Sequence, residues 1–182
     1  MAQQSLQQSQ SSASNKSNFT LRKATPANIP ALTSLISLSI RSLSTNHYTR
    51  SEIDGSVGFI FGPDALLIED RTYFVLTAQE NPELIVACGG WSFRKTLYGG
   101  DFAPGRKPAR RDPLTERASI RAIFTHPDWA RQGLGTMMMR YCEEAARGEG
   151  FWGWRWGVTC LTPKRDTSSN ETHAPKYIYI NN

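Results

Sequence analysis

Residues 126–139 read HPDWARQGLGTMMM, a proline turn followed by Gly133-Leu134-Gly135 and then an apolar helical pattern. The chemistry such a stretch can do belongs to the backbone. The first turn of a helix offers N–H groups with no intrahelical acceptor, at the positive end of the helix dipole. Glycines there remove side chains from the approach path, so a phosphate or diphosphate can sit directly on the amides. The spacing is not the dinucleotide pattern, because Met138 stands where a third glycine would be. It is not a P-loop either, since no Gly-Lys-Ser/Thr follows.

Side chains able to move protons are few nearby. Glu116 precedes the strand that feeds this loop, His126 ends that strand, and Tyr98 lies upstream beside Gly99 and Gly100. Each also has a plain structural reading: Glu116 paired with Arg117 or Arg121, Tyr98 packed in a turn, His126 closing a strand before Pro127. No catalytic base or acid is named on these grounds. Cys88, Cys142 and Cys160 are odd in number and widely spaced. They make neither a disulfide framework nor a zinc pattern, and they read as reduced, partly buried thiols. No metal is expected.

The elements that must position the glycine loop follow from periodicity. "ASIRAIFT" (118–125) reads as a strand running into it. Leu134 to Arg147 reads as a helix, with Leu134, Met137, Met138, Tyr141 and Ala145 on one side and the pairs Arg140/Glu144 and Glu143/Arg147 on the other. Upstream, "FTLRKAT" alternates as a strand. Thr25 and Pro26 then open a helix whose apolar stripe is Ile29, Leu32, Ile36, Ile40 and Leu43. A shorter helix is expected within "TRSEIDGSVGFIF". "RTYFVLTAQ" and "ELIVACGGWSF" read as a hairpin joined at Asn81–Pro82, with Gly89–Gly90 marking a bulge or a close backbone approach. "FWGWRWGVTC" supplies one more strand.

With strand, proline turn, glycine pair and helix in register, "IRAIFTHPDWARQGLGTMMM" resembles the acetyl-CoA-binding motif of the GNAT superfamily of N-acetyltransferases. "YFVLTAQENPELIVACGGWSFRKTLYGGD" and "FTLRKATPANIPAL" extend the resemblance over about Phe19 to Phe151. It implies an α/β (α+β) fold, with a mixed, mostly antiparallel central sheet flanked by helices. It also implies acetyl-CoA in a cleft where two neighbouring strands part. On this likeness the pantetheine amides pair with the backbone of Ile123, Phe124 and Thr125. The diphosphate falls on Arg131, Gln132, Gly133, Leu134, Gly135 and Thr136. The family's Arg/Gln position falls on Ala130, with Arg131 and Gln132 next to it. The implied activity is direct acetyl transfer from acetyl-CoA to an amine of a small molecule or a protein.

Three segments are expected. Residues 1–18, with eleven Gln or Ser, form a disordered tail; 19–160 form the acetyltransferase-like domain; 161–182 form an irregular polar tail. The usual Tyr-bearing helix after the next strand has no counterpart in "LTPKRDTSSNETHAPKYIYINN". The resemblance therefore implies a C-terminally truncated or divergent form, with Trp152, Trp154 and Trp156 short of cover. The alternative function is an acyl-CoA-binding module impaired in turnover.

The net charge is +5, and residues 94–121 alone hold eight Arg/Lys against three acids, also +5. A local surplus, with only Tyr98 and Phe102 as interleaved aromatics, argues against a nucleic-acid binder. It suits a mobile, solvated loop from Tyr98 to Arg117 that guides anions. No apolar run approaches the roughly 20 residues of a membrane helix, and the N-terminus lacks a secretory pattern. A cytoplasmic protein is expected, with the nucleus and a homodimer left open.

Overall fold

The computed structural model describes residues 18–45, 49–57, 61–95 and 109–156. The calls on Tyr98, Phe102, Cys160 and both tails lie outside them. Five strands form one sheet in sequence order: β1 (Phe19–Lys23), β2 (Tyr73–Ala78), β3 (Asn81–Ser92), β4 (Ala118–Thr125) and β5 (Trp154–Trp156). The first four are antiparallel neighbours, and β5 runs parallel to β4. This is the mixed, mostly antiparallel sheet that was expected. The β2–β3 hairpin turns at Gln79–Glu80, and Asn81 already pairs with Ala78. Asn81–Pro82 therefore begins the strand instead of forming the turn.

One sheet face is covered by α1 (Ile29–Leu43), α2 (Arg50–Ser56) and α3 (Ala65–Glu69), the other by α4 (Leu134–Gly148). Thr25 opens a short 3-10 turn, Pro26–Asn28, and Asn28 Oδ1 accepts from the Thr25 amide at 3.0 Å. The helix proper starts after it. Its buried side chains, Leu32, Leu35, Ile36, Ser39 and Ile40, include three of the five expected. Thr49 and Glu52 make a reciprocal capping box for α2. Asp64 caps α3, a five-residue helix too short to show as periodicity. On α4 the core face is Leu134, Met138, Cys142 and Ala146. Tyr141 and Ala145 sit at its rim, because the small side chains are the ones pressed against the sheet.

Both glycines of β3 mark close approaches. A Cβ on Gly89 would lie 2.6 Å from Met138 Cγ of α4 and 2.8 Å from Ile123 Cγ1. A Cβ on Gly90 would lie 2.6 Å from the Tyr73 ring and 2.8 Å from Thr72 O. Gly89 therefore sets how closely α4 rides on the sheet. Gly89→Ala is expected to cost about 1–3 kcal/mol by overpacking, read as a lower urea midpoint at unchanged slope. Adding Met138→Ala should recover part of the loss, and no recovery would mean that helix contact is not what selects glycine.

The aromatic surface near β5 is more covered than the sequence suggests. Trp154 is partly buried, and Arg147 lies over its ring at 4.7 Å. Trp152 is exposed, with Arg117 over it at 4.8 Å. The described end of the basic loop also departs from expectation. Arg111 is buried, its amide donating to Phe93 O at 2.7 Å and its Nε to Arg94 O at 2.8 Å. These bonds dock it beside the end of β3.

Candidate active site

β4 changes phase in its middle. Cys88 pairs with Phe124 and Gly90 with Arg121, so two steps on β3 face three on β4. The extra residue is a bulge at Ala122, whose φ is +57°. A left-handed alanine costs roughly 1–2 kcal/mol, so the surroundings must hold it. Tyr73, fully buried on β2, reaches past β3 and places its hydroxyl 3.1 Å from Ala122 O and 3.3 Å from Cys88 Sγ. Burial pushes the Tyr73 phenol well above its usual range and the Cys88 thiol up to about 12, so both stay neutral. Tyr73→Phe is expected to cost about 1 kcal/mol and to weaken whatever binds along β4. A stability equal to the parent's would show that the bulge is held without the hydroxyl.

Past the bulge, β4 has one neighbour among the described residues. Ala118, Ser119 and Ile120 pair with β5, and among the described residues no strand continues that side along 121–125. On the other side the His126 amide donates to Val86 O at 2.8 Å. Backbone groups alternate sides along a strand, so those of Phe124 also face β3. Those of Ile123 and Thr125 face the open side. Of the three residues expected along the pantetheine, two present backbone edges that no described strand pairs, and one is engaged with β3.

The open edge leads into the glycine turn. His126 caps a 3-10 turn, Pro127–Trp129, with Nδ1 accepting from the Asp128 amide at 3.3 Å. Trp129 packs edge-on against Phe19 at 5.5 Å, tying the turn to β1. Arg131 and Gly133 are both left-handed, at φ +63° and +79°. The first α4 amide to find an acceptor is that of Met137, on Gly133 O at 2.9 Å. Among the described residues, none of the six amides from Arg131 to Thr136 donates to the chain. A row of undonated N–H groups at a helix start is an anion cradle.

A model of the acetyltransferase (GNAT) family matches residues 39–159. The chain belongs to this family. Among solved structures, PaiA N-acetyltransferase from Thermoplasma acidophilum in complex with coenzyme A is similar at 8% identity and a TM-score of 0.52, over 76% of this chain and 77% of that one. This likeness carries the fold. A GNAT family acetyltransferase from Brucella melitensis in complex with acetyl-CoA matches at 11% identity and a TM-score of 0.49, over 76% and 74%. A putative acetyltransferase from Pyrococcus horikoshii matches at 16% identity and a TM-score of 0.44, over 72% of this chain and 35% of its own, so the chain spans about a third of that protein. No curated protein matches the chain.

The proton-moving candidates resolve differently within this GNAT frame. Glu116 Oε2 accepts from the Asp112 amide at 3.0 Å and meets Lys95 Nζ at 3.1 Å. The amide and then the lysine hold its carboxyl below the usual range, which makes it a weak base. Its partner is Lys95, not Arg117 or Arg121. His126 uses Nδ1 as a cap. Sequence reasoning missed the feature that shapes the site most, the Ala122 bulge, whose one sequence trace is the glycine opposite it.

Proposed function

We propose that this chain transfers an acetyl group from acetyl-CoA to an amine of a small molecule or protein. One observation carries the reading: a strand edge at Ile123 and Thr125, unpaired among the described residues, runs directly into the undonated amides of residues 131–136. A pantetheine arm offers amides for the first and a diphosphate needs the second. The family supports acyl transfer in general; the acetyl donor and the amine acceptor are our reading.

The step is attack of a neutral amine on the thioester carbonyl. A C–N bond forms, the C–S bond breaks, and the thiolate of coenzyme A leaves; the nitrogen sheds one proton and the thiolate takes one up, which gives the amide and the free thiol. On this reading a backbone N–H along β4 stabilises the oxyanion, and holding both reactants on one edge supplies much of the acceleration. The buried free thiols of Cys88 and Cys142 suit a reducing, cytoplasmic setting. The test is calorimetry of the full chain with acetyl-CoA, followed by thiol release with a panel of amines. Binding with amine-dependent thiol release is expected. Binding without release from any amine would favour the acyl-CoA-binding module, and no binding would overturn both.

A further inference from the structure

The face of the sheet opposite α4 carries four arginines where β3 ends and β4 and β5 begin. Ser92 of β3, Ser119 of β4 and Arg155 of β5 stand side by side across the strands. Both serines are fully buried, and Arg155 Nε reaches Ser119 Oγ at 3.4 Å. Arg94 grips Asp70 with two bonds of 2.6 and 2.5 Å. Arg121, 2% exposed, meets Asp64 at 2.9 Å. The third carboxylate, Glu116, is taken by Lys95.

That leaves two guanidinium groups, Arg111 and Arg155, that make no direct ion pair among the described residues; Glu116 acts on Arg111 only from a distance. Arg111 is 6% exposed, and its buried Nη2 has no hydrogen-bond partner. Burial, then the neighbouring Arg155, lowers its pKa from the usual value. A buried, unpaired donor on a cation, beside a second cation, is expensive to keep. An anion that both could bind would offset that cost.

Geometry separates this anion from coenzyme A. Thr125 stands six residue steps along β4 from Ser119, roughly 20 Å at strand rise, and the glycine turn lies beyond. A diphosphate seated there cannot also reach Arg155. The last described pair of β4 and β5, Ile120 with Trp156, lies between the two places.

We propose that Arg111 and Arg155 form an acceptor-side subsite for a carboxylate, so that the acetylated amine belongs to a molecule that also carries an acid. This rests on the acetyl-transfer reading, and its test has a readout separate from turnover. The probes are N-acetyl amino acids, the products such an acceptor would give, and their neutral amides. Each is titrated calorimetrically into the full chain saturated with coenzyme A. The acids are expected to bind at least tenfold more tightly than the amides. Arg155→Gln should remove that preference and Arg155→Lys should keep part of it. Arg111→Lys, which retains charge but loses the planar fork, should weaken the acids at least tenfold. Equal binding of acid and amide, no binding of either, or an acid preference untouched by Arg155→Gln would overturn the subsite while leaving acetyl transfer standing. Failure of the chain to bind coenzyme A would overturn the acetyl-transfer reading itself, and the subsite with it.

Discussion

Asp64→Ala is expected to lower stability by about 3–5 kcal/mol, the cost typical of removing one partner from a buried ion pair. Asp64 has two tasks. Its Oδ1 accepts from the Leu67 amide at 3.2 Å, capping α3. Its Oδ2 meets Arg121 at 2.9 Å, with the two side chains 5% and 2% exposed. Losing a cap alone costs about 1 kcal/mol. The larger part comes from a guanidinium left in the interior with its counter-charge gone. The double variant Asp64→Ala/Arg121→Met separates the two, because it removes the stranded charge and keeps most of the volume. It should be clearly more stable than Asp64→Ala in urea unfolding. If the double variant were as unstable as the sum of the single changes, the pair would not be coupled and this account would be wrong.

Gly133→Val is expected to weaken acetyl-CoA binding more than tenfold, over ~1.4 kcal/mol. The backbone there is left-handed, at φ +79°, and nothing lies within 4 Å of where a Cβ would stand. The substitution therefore meets no clash within the chain. Its cost is the conformation, which a β-branched residue resists, and the new methyl groups stand over the amides of the turn. Calorimetry on a variant whose circular dichroism matches the parent gives the answer. Affinity within twofold of the parent would remove the diphosphate from this turn. Gly133→Ala is the intermediate case, strained in φ but less obstructive.

Much of this arrangement is legible in the sequence, for reasons that differ by element. The boundaries of α4 stand out because a glycine pair precedes it and glycines end it. Its core face is harder to read, since Cys142 and Ala146 are weaker hydrophobic signals than Tyr141, yet only small side chains fit against the sheet. Gly89–Gly90 announces close packing, and both glycines have neighbours that exclude a methyl group. α3 leaves no trace, being five residues long with its stability in a cap and in buried Leu66, Leu67 and Ile68. The Asp64–Arg121 pair joins residues far apart in sequence, and no local pattern encodes it. Arg111 reads as part of a solvated basic loop, because charge density cannot tell a docked arginine from a free one.

The bulge at Ala122 works as a parity switch. Before it, Ala118 and Ile120 face α4 while Ser119 and Arg121 face the other layer; after it, Ile123 faces α4 and Ala122 and Phe124 join the layer of α1. Odd numbers and even numbers trade places within one strand. Deleting Ala122 would restore plain alternation with Ile123 and Phe124 still in their layers, and would remove the left-handed residue whose carbonyl the Tyr73 hydroxyl meets. A one-residue change of length elsewhere in the strand would instead put part of it out of phase.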